Sequence, residues 1–428
     1  MTTLQISGGR VLLPDMTVER ADVLVDRDAG EILAVGEGDS GDERLDAEGS
    51  LVIPGLVNAH GHAAMTLLRG YADDKPLGAW LQEDIWPAEA ELTPEDVRAG
   101  TELGIVEMIR SGTTAFADMY FEVGEVAVAV EGSGMRARLG HGIVTVGKSE
   151  EKARADVEES IGVAREFDGA AGGRIRTAVM PHSLTTLSEE YLSMAVEGAR
   201  EAGVPLHFHA NETREEVEPI VEERGVRPLE YADELGLVEE GDFLAHGVHL
   251  DEREIDLLAE TGASVIHCPA SNTKLASGMA PVQRLLDAGV PVGIGTDGAA
   301  SNNDLDPFDE MRDAAMIGKL AASDASAVPA EAVVEMATQG SAEAVGIGSG
   351  KIVEGENADL AVVDFEKPHL TPAHDPVSHL AYAVRGSDVR HTVCDGEVLM
   401  RDREVLTLDE KRVRGTAERR ATELVGRA

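Results

Sequence analysis

Histidine and carboxylate side chains that could ligate a metal or move protons recur along this chain, each directly after a short apolar segment. These residues are His60, His62, His182, His209, His246, His267 and Asp297. Three imidazoles and one carboxylate suit a borderline divalent metal such as zinc and leave a position for water, as a catalytic site requires. A single histidine after a strand is more often a satisfied turn or core residue. The hypothesis therefore depends on whether the fold brings these residues together.

These residues lie in a region where short strands alternate with longer helical segments. The pattern predicts eight strands, at residues 52–57, 113–117, 138–144, 175–180, 205–208, 243–245, 263–266 and 290–294. Eight strand–helix repeats close naturally into a parallel barrel, and a doubly wound open sheet is the alternative. Active sites of parallel barrels lie at the carboxyl ends of the strands, so the polar residues listed above converge on one mouth.

Both ends of the chain have a different texture, in which polar and apolar residues alternate. This alternation occupies the first fifty residues and returns between residues 359 and 403. Neither end alone has enough strands to bury a face, so we expect them to pair. The predicted α/β protein is a (β/α)8 TIM-type barrel over residues 54–348. Residues 1–53 and 349–428 are expected to form a small β-sandwich domain, and the second part ends in a helical tail.

The composition is strongly acidic, with 37 Lys and Arg against 80 Asp and Glu and a formal net charge of −43. Such a charge disfavours nucleic acid and acidic membranes as partners. Only eight of the basic residues are lysines, a usage typical of salt-adapted cytoplasms, where cations screen the repulsion between carboxylates. An ordinary acidic enzyme is the alternative. The 43% hydrophobic content is enough for a sizeable core, so we expect a globular protein.

The absence of targeting signals predicts a cytoplasmic location. The first residues lack a basic segment that leads into an apolar stretch, and no run of about 18 apolar residues occurs. Cys268 and Cys394 are far apart and in no Cys-x-x-Cys pair, which argues against a disulfide scaffold and against a cysteine-based zinc site. We therefore expect a protein from the cytoplasm of a salt-adapted organism.

Residues 54–62, Pro-Gly-Leu-Val-Asn-Ala-His-Gly-His, resemble the opening strand of the amidohydrolase superfamily. Segments 207–212 and 295–298 continue the match, which covers nearly the whole chain. The chain is most similar to the mononuclear deaminase and chlorohydrolase branch, and within it to deaminases of 5′-modified adenosines. This resemblance implies one divalent metal, zinc or ferrous iron, held by His60, His62, His209 and Asp297. A binuclear site would need a bridging lysine at the end of the fourth strand, and residues 177–182 contain none.

The same resemblance implies roles in hydrolytic deamination, which releases ammonia from a purine. Glu212 would donate a proton to purine N1, and His246 would orient water and stabilise the developing oxyanion. Asp297 would relay a proton to the leaving amino group. For Glu212, a carboxylate favoured at a helix start is the alternative, and for His246 a packed core histidine.

Substrate contacts follow from the resemblance as well. Glu89 would accept the ribose hydroxyls, and His182 and Ser301 would lie near the nucleoside. His141 departs from the pattern because relatives that act on methylthioadenosine and S-adenosylhomocysteine carry an arginine there. A neutral histidine lacks the arginine's bidentate fork for a carboxylate, so 5′-deoxyadenosine and methylthioadenosine are the expected substrates ahead of S-adenosylhomocysteine.

Three other functions share the metal ligands. Deaminases of free bases such as guanine or cytosine, and triazine chlorohydrolases, need no ribose contact, so Glu89 favours a nucleoside. A barrel that binds metal without turnover is the non-enzymatic alternative, but Glu212, His246 and Asp297 keep the groups that transfer protons. A small-molecule nucleoside is the expected partner. The sequence does not decide between a monomer and a homo-oligomer.

The acidic composition makes stability depend on salt. Because added cations shorten the Debye length from about 10 Å at 0.1 M to about 3 Å at 1 M, repulsion between carboxylates should fall steeply over that range. We expect the melting temperature and the activity to rise with molar KCl, and calorimetric melts at low and high KCl measure the first. A melting temperature that does not respond to KCl would make the acidic surface incidental.

Overall fold

Two parallel sheets form the centre of the molecule. The structure is a computed structural model that describes residues 2–36, 38, 40–348 and 350–428. The strands of the first sheet are Leu56–Asn58, Thr113–Tyr120, Arg136–Ile143, Ile175–Thr177 and Met180–Pro181, and those of the second are His207–Ala210, Phe243–His246, Ser264–His267 and Val292–Ile294. All pairings within both sheets are parallel, as expected for strand–helix repeats.

Contacts also cross both seams between these sheets. On one side Val179 bridges to Leu206, and Ser183 bridges to His209, both in parallel register. On the other side the short strands Gly61–His62 and Asp297–Gly298 pair in parallel. The second seam therefore brings segments more than 230 residues apart in sequence next to each other.

Helices follow most of the central strands. Their bounds are Leu77–Trp80, Trp86–Glu89, Pro94–Arg110, Val123–Ser133, Glu150–Phe167, Glu189–Ala202, Arg214–Arg224, Pro228–Glu234, Glu252–Thr261, Pro269–Lys274, Val282–Asp287, Pro307–Ala322, Ala330–Glu335, Ser341–Val345, Pro376–Tyr382 and Glu410–Val425. Their starts follow local chemistry: Thr93 accepts a hydrogen bond from the Asp96 amide and so caps one helix. Within the described ranges, no helix is both long and apolar enough to span a bilayer. The predicted α/β class is confirmed.

The two ends of the chain form two further sheets. The larger has the strand order Glu404–Val405, Glu397–Arg401, Val389–Cys394, Leu360–Asp364, Ser50–Pro54, Arg10–Leu12 and Val18–Arg20. The smaller has the order Glu31–Gly36, Asp22–Asp26, Thr3–Ser7 and Glu43–Asp46. One buried apolar cluster draws on both sheets, including Leu4, Ile6 and Val25 from the smaller and Val52 and Val362 from the larger. Packing between the sheets therefore joins the two termini.

The first predicted strand, 52–57, is two strands in the structure. Ser50–Pro54 belongs to the larger terminal sheet, and Leu56–Asn58 belongs to the central sheet. Gly55 lies between them, where an added Cβ would come within 2.2 Å of Thr114 Oγ1. A continuous apolar run hides this change of sheet, because periodicity alone cannot show which neighbour a strand pairs with.

A buried ion-pair cluster ties the central sheet to the terminal sheets. Arg136 donates through Nε to Asp359 Oδ2 at 2.8 Å and through Nη2 to Asp395 Oδ1 at 2.7 Å. Arg136 and Asp359 are 8% and 4% exposed. Removing the arginine would leave the Asp359 carboxylate buried without its cation.

We expect Arg136→Leu to lower the free energy of unfolding by about 3 to 5 kcal/mol, because the substitution leaves a buried carboxylate without its compensating cation. Denaturant titration measures the loss. Arg165→Leu is the matched control, because Arg165 pairs with Glu201 on the surface. That control should cost less than about 1 kcal/mol. Equal losses in the two variants would contradict the proposed anchoring role.

Candidate metal centre and active site

The four predicted metal ligands meet at the carboxyl ends of the central strands. Asp297 Oδ1 lies 3.4 Å from His60 Nε2 and 3.2 Å from His62 Nε2. The ring of His209 is centred 4.8 Å from the ring of His60 and 5.5 Å from the ring of His62. His246 joins them, since one ligand atom from each of His60, His209, His246 and Asp297 lies within 4.8 Å of the others.

The backbone at these strand ends is strained. Asn211, His246 and Asp297 adopt left-handed φ angles of 54°, 76° and 60°. Each such residue costs about 1 to 3 kcal/mol, and such costs concentrate where function requires a fixed side-chain direction. Two of these residues, His246 and Asp297, contribute atoms to the same cluster.

Hydrogen bonds fix the direction of the ligand atoms. His62 Nδ1 donates to the Met119 carbonyl at 2.6 Å, and His209 Nδ1 donates to the His182 carbonyl at 2.8 Å. A neutral imidazole that donates from Nδ1 keeps a lone pair on Nε2. Asp297 Oδ2 accepts from the hydroxyls of Ser271 and Ser301, both at 2.6 Å, and its Oδ1 is left for the imidazoles.

The electrostatics of the cluster fit a divalent cation. His60 Nε2 is buried and has no hydrogen-bond partner in the described ranges, although a carboxylate oxygen faces it. Burial lowers the pKa of His60 to about 4 and holds the pKa of His209 well below its usual value, so both rings are neutral. Burial also lowers the pKa of His62, but Asp297 outweighs it and raises that pKa to about 9. In the metal-free protein a proton on His62 thus balances the negative charge of Asp297, a charge that a bound cation would otherwise balance.

A cavity of about 1030 Å³ opens onto this cluster, and Glu89, His182, Glu212 and Ser301 line it as predicted neighbours. Glu212 Oε2 lies 3.7 Å from His246 Nε2. Burial raises the pKa of the Glu212 carboxyl group. A carboxyl group with a raised pKa therefore lies beside His246 and faces the cavity.

Glu89 lies in the helix Trp86–Glu89 and not at the end of a central strand, yet it lines the same cavity. Its Oε1 accepts a hydrogen bond from the Tyr120 hydroxyl at 2.8 Å, and burial raises its pKa to about 7. Tyr120 was missed by the sequence pattern, because the predicted strand 113–117 stops short of the observed Thr113–Tyr120.

His141 lies away from the other predicted site residues. Its Nε2 is 3.1 Å from Asp156 Oδ1, and Lys148 Nζ is 2.8 Å from the other oxygen of that carboxylate. Phe121, which lines the cavity, is in edge contact with the His141 ring, while His141 is absent from the described lining. Its role in substrate binding stays a prediction.

Other residues that support the centre carried no sequence signal beyond their position after or within a strand. Ser271 and Asn272 follow the seventh central strand, and Asn272 Oδ1 is 2.9 Å from His246 Nδ1. His207 lies two residues before His209, on the same face of the strand. Their position after or within a strand could have identified them, but only their contacts show what they do. His267, the remaining histidine of the predicted set, is 2% exposed.

The chain belongs to the amidohydrolase family, whose model matches residues 51–399. A curated relative from Natronomonas pharaonis is 69% identical over 428 residues, covering 100% of this chain and 99% of its own. That relative is named 5-methylthioadenosine/S-adenosylhomocysteine deaminase. A protein of Methanosarcina mazei, named 5′-deoxyadenosine deaminase, is 47% identical over 97% of this chain and 99% of its own.

A solved structure shares both fold and sequence. It is an adenosine deaminase from Xanthomonas campestris with bound zinc, 37% identical, with a TM-score of 0.93 over 99% of each chain. The fold is thus of the TIM-barrel type, and the family context points to a divalent metal. Relatives from halophilic archaea agree with a salt-adapted source.

We expect one metal ion per chain in protein purified without added metal, because the ligand atoms converge on one centre. Elemental analysis measures the content. Asp297→Asn should lose the ion, since the neutral amide no longer balances its charge. Asp156→Asn is the control, because Asp156 lies in the separate group formed with His141 and Glu159. Two ions per chain, or an active preparation with none, would contradict a mononuclear centre.

Proposed function

We propose that the protein deaminates 5′-modified adenosines, releasing ammonia and the corresponding inosine analogue. It is a hydrolase acting on carbon–nitrogen bonds of cyclic amidines. The observation that carries the proposal is the shared cavity, in which a protonatable Glu212, the histidine cluster and Glu89 all face the same space. The names of the relatives support the same substrate class.

One divalent metal, zinc or ferrous iron, would be held by His60, His62, His209 and Asp297. The zinc named in the structure of the Xanthomonas enzyme favours zinc. When bound, such an ion lowers the pKa of water from 15.7 to about 7 and so supplies a nucleophile at neutral pH. The unpartnered lone pair of His60 Nε2 supports this assignment.

The protein side chains move the protons. As C6 of the purine becomes tetrahedral, N1 must gain a proton, and Glu212 donates it from its protonated carboxyl group. His246 donates from Nδ1 to Asn272 Oδ1, so its Nε2 faces the attacking water, which it orients, and it stabilises the oxygen on which negative charge develops. Asp297 accepts the proton that this water loses and passes it to the departing amino group, so that ammonia leaves. The hydroxyl left on C6 returns its proton to the Glu212 carboxylate as the carbonyl group forms.

Glu89 accepts the two ribose hydroxyls, while His182 and Ser301 contact the nucleoside. The Tyr120 hydroxyl donates a hydrogen bond to Glu89 and so fixes the orientation of its carboxylate. Arg136 and Arg138, which could have replaced the missing cation at position 141, are committed elsewhere: Arg138 Nη1 donates to the Thr177 carbonyl at 2.5 Å. His141 therefore favours substrates without a carboxylate in the 5′ substituent.

The eight central strands close into a (β/α)8 barrel over residues 54–348. Residues 1–53 and 349–428 form one β-sandwich domain, and its shared apolar cluster supports this division. The contacts across both seams support closure of the barrel. The protein works in the cytoplasm of a salt-adapted organism on a small-molecule nucleoside, and its charge disfavours nucleic acid and membranes.

We expect Glu212→Gln to lower kcat by at least about 10²-fold, because glutamine keeps the shape but cannot donate a carboxyl proton. Metal content should stay at the wild-type level. Ammonia release under saturating substrate gives kcat, and elemental analysis gives the metal. Glu215→Gln is the control, since Glu215 lines the same cavity from the first turn of the helix that follows Glu212. Near-normal turnover of Glu212→Gln would contradict the catalytic role and favour the alternative, in which Glu212 is a carboxylate that stabilises a helix start.

We expect kcat/KM to be highest for 5′-deoxyadenosine or methylthioadenosine in a panel with adenosine, S-adenosylhomocysteine, guanine and cytosine. The 2′-deoxy analogues should lose much of it, because a site built around a hydroxyl leaves polar groups unpaired without it. A preference for S-adenosylhomocysteine would contradict the argument from His141. It would direct attention to Arg214, which lines the cavity and makes no ion pair in the described chain. A preference for a free base would contradict the proposed contact between Glu89 and the ribose hydroxyls.

A further inference from the structure

His60 differs from the other two imidazoles of the proposed metal site in the partner of its second nitrogen. The Nδ1 atoms of His62 and His209 bond to backbone carbonyls. His60 Nδ1 instead lies 2.8 Å from a side-chain atom, His207 Nε2. The orientation of His60 can therefore be altered by substitution, unlike that of its neighbours.

The proton positions along this contact follow from one backbone carbonyl. His207 Nδ1 lies 2.9 Å from the Phe243 carbonyl oxygen, which can only accept, so this nitrogen carries the hydrogen. A neutral imidazole has one N–H, so His207 Nε2 is an acceptor. His60 must then donate from Nδ1, which leaves its lone pair on Nε2, the atom that faces Asp297.

His207 is held rigidly enough to impose this choice. It is 1% exposed, and its ring stacks on the Phe243 ring with centroids 4.1 Å apart and planes inclined by 14°. Because His207 and His209 are two residues apart on one strand, both point to the same face. His207 thus lies behind the ligands, where its ring contacts His60.

We propose that His207 is a positioning residue, which relays the hydrogen-bond constraint of the Phe243 carbonyl to His60 and so presents His60 Nε2 to the metal. The proposal rests on the metal site of the proposed function. It assigns His207 no contact with substrate. Removing a side chain that hydrogen-bonds to a metal ligand weakens metal binding.

His207→Phe tests the proposal, because it keeps an aromatic ring against Phe243 but removes the acceptor for His60. We expect zinc to bind about 10- to 100-fold more weakly to the metal-free variant than to the metal-free wild type. Competition with a chromophoric chelator measures this affinity without any assay of activity. His207→Gln, whose carbonyl oxygen can accept from His60 Nδ1, should restore most of the lost affinity.

His391→Phe is the matched control. His391 is also 1% exposed, and its two ring nitrogens lie 3.1 Å from the Asp46 carbonyl oxygen and from the Asp402 amide nitrogen, in the terminal region of the fold. The same loss of a buried imidazole should there leave zinc affinity unchanged. Wild-type affinity in His207→Phe, or an equal loss in both variants, would overturn the relay.

A measurement on the unmodified protein keeps the proposal testable if His207→Phe fails to fold. Long-range proton–nitrogen spectra of the ¹⁵N-histidine-labelled, metal-free chain distinguish the two tautomers. We expect His60 to carry its hydrogen on Nδ1, and a hydrogen on Nε2 would overturn the proposal. A wild-type chain that binds no zinc would instead refute the proposed function, whereas tight wild-type binding with an indifferent His207 would refute the relay alone.

Discussion

The contact of the Asp297 carboxylate with two imidazoles is the interaction on which the rest of the site depends. Asp297 is 6% exposed and His60 is fully buried, so neither can be compensated by solvent. One carboxylate oxygen is satisfied by Ser271 and Ser301, and the other faces His60 Nε2 and His62 Nε2. A divalent cation between the carboxylate and the imidazoles would satisfy both partners and offset the cost of their burial.

The fold serves this contact by bringing distant strand ends together. His62 and Asp297 are adjacent because their short strands pair in parallel across a seam, although 235 residues separate them in sequence. Gly55 lets the chain leave the terminal sheet and enter the central one just before His60. The buried Arg136 ion pairs then fix the third central strand against the larger terminal sheet.

Sequence patterns predicted the central strands and brought His60, His62, His209 and Asp297 to one centre, because strand ends in this architecture share one mouth. They could not predict the roles of Tyr120 and Asn272. Each of these side chains contributes one hydrogen bond to a residue of another element, Tyr120 to Glu89 and Asn272 to His246. His141 shows the same limit. It lies at a matching position on its strand, but the side chain is engaged by Asp156, and only three-dimensional packing decides that outcome.

The proposed site holds one divalent metal between the three imidazoles and Asp297. Diffraction data from crystals of the native protein, collected on both sides of the zinc and iron absorption edges, locate such an ion. We expect one anomalous peak per chain, about 2.0 to 2.2 Å from the ligand atoms of His60, His62, His209 and Asp297. An absent peak in active protein, a second peak of equal height, or a peak at the separate His141 group would contradict it.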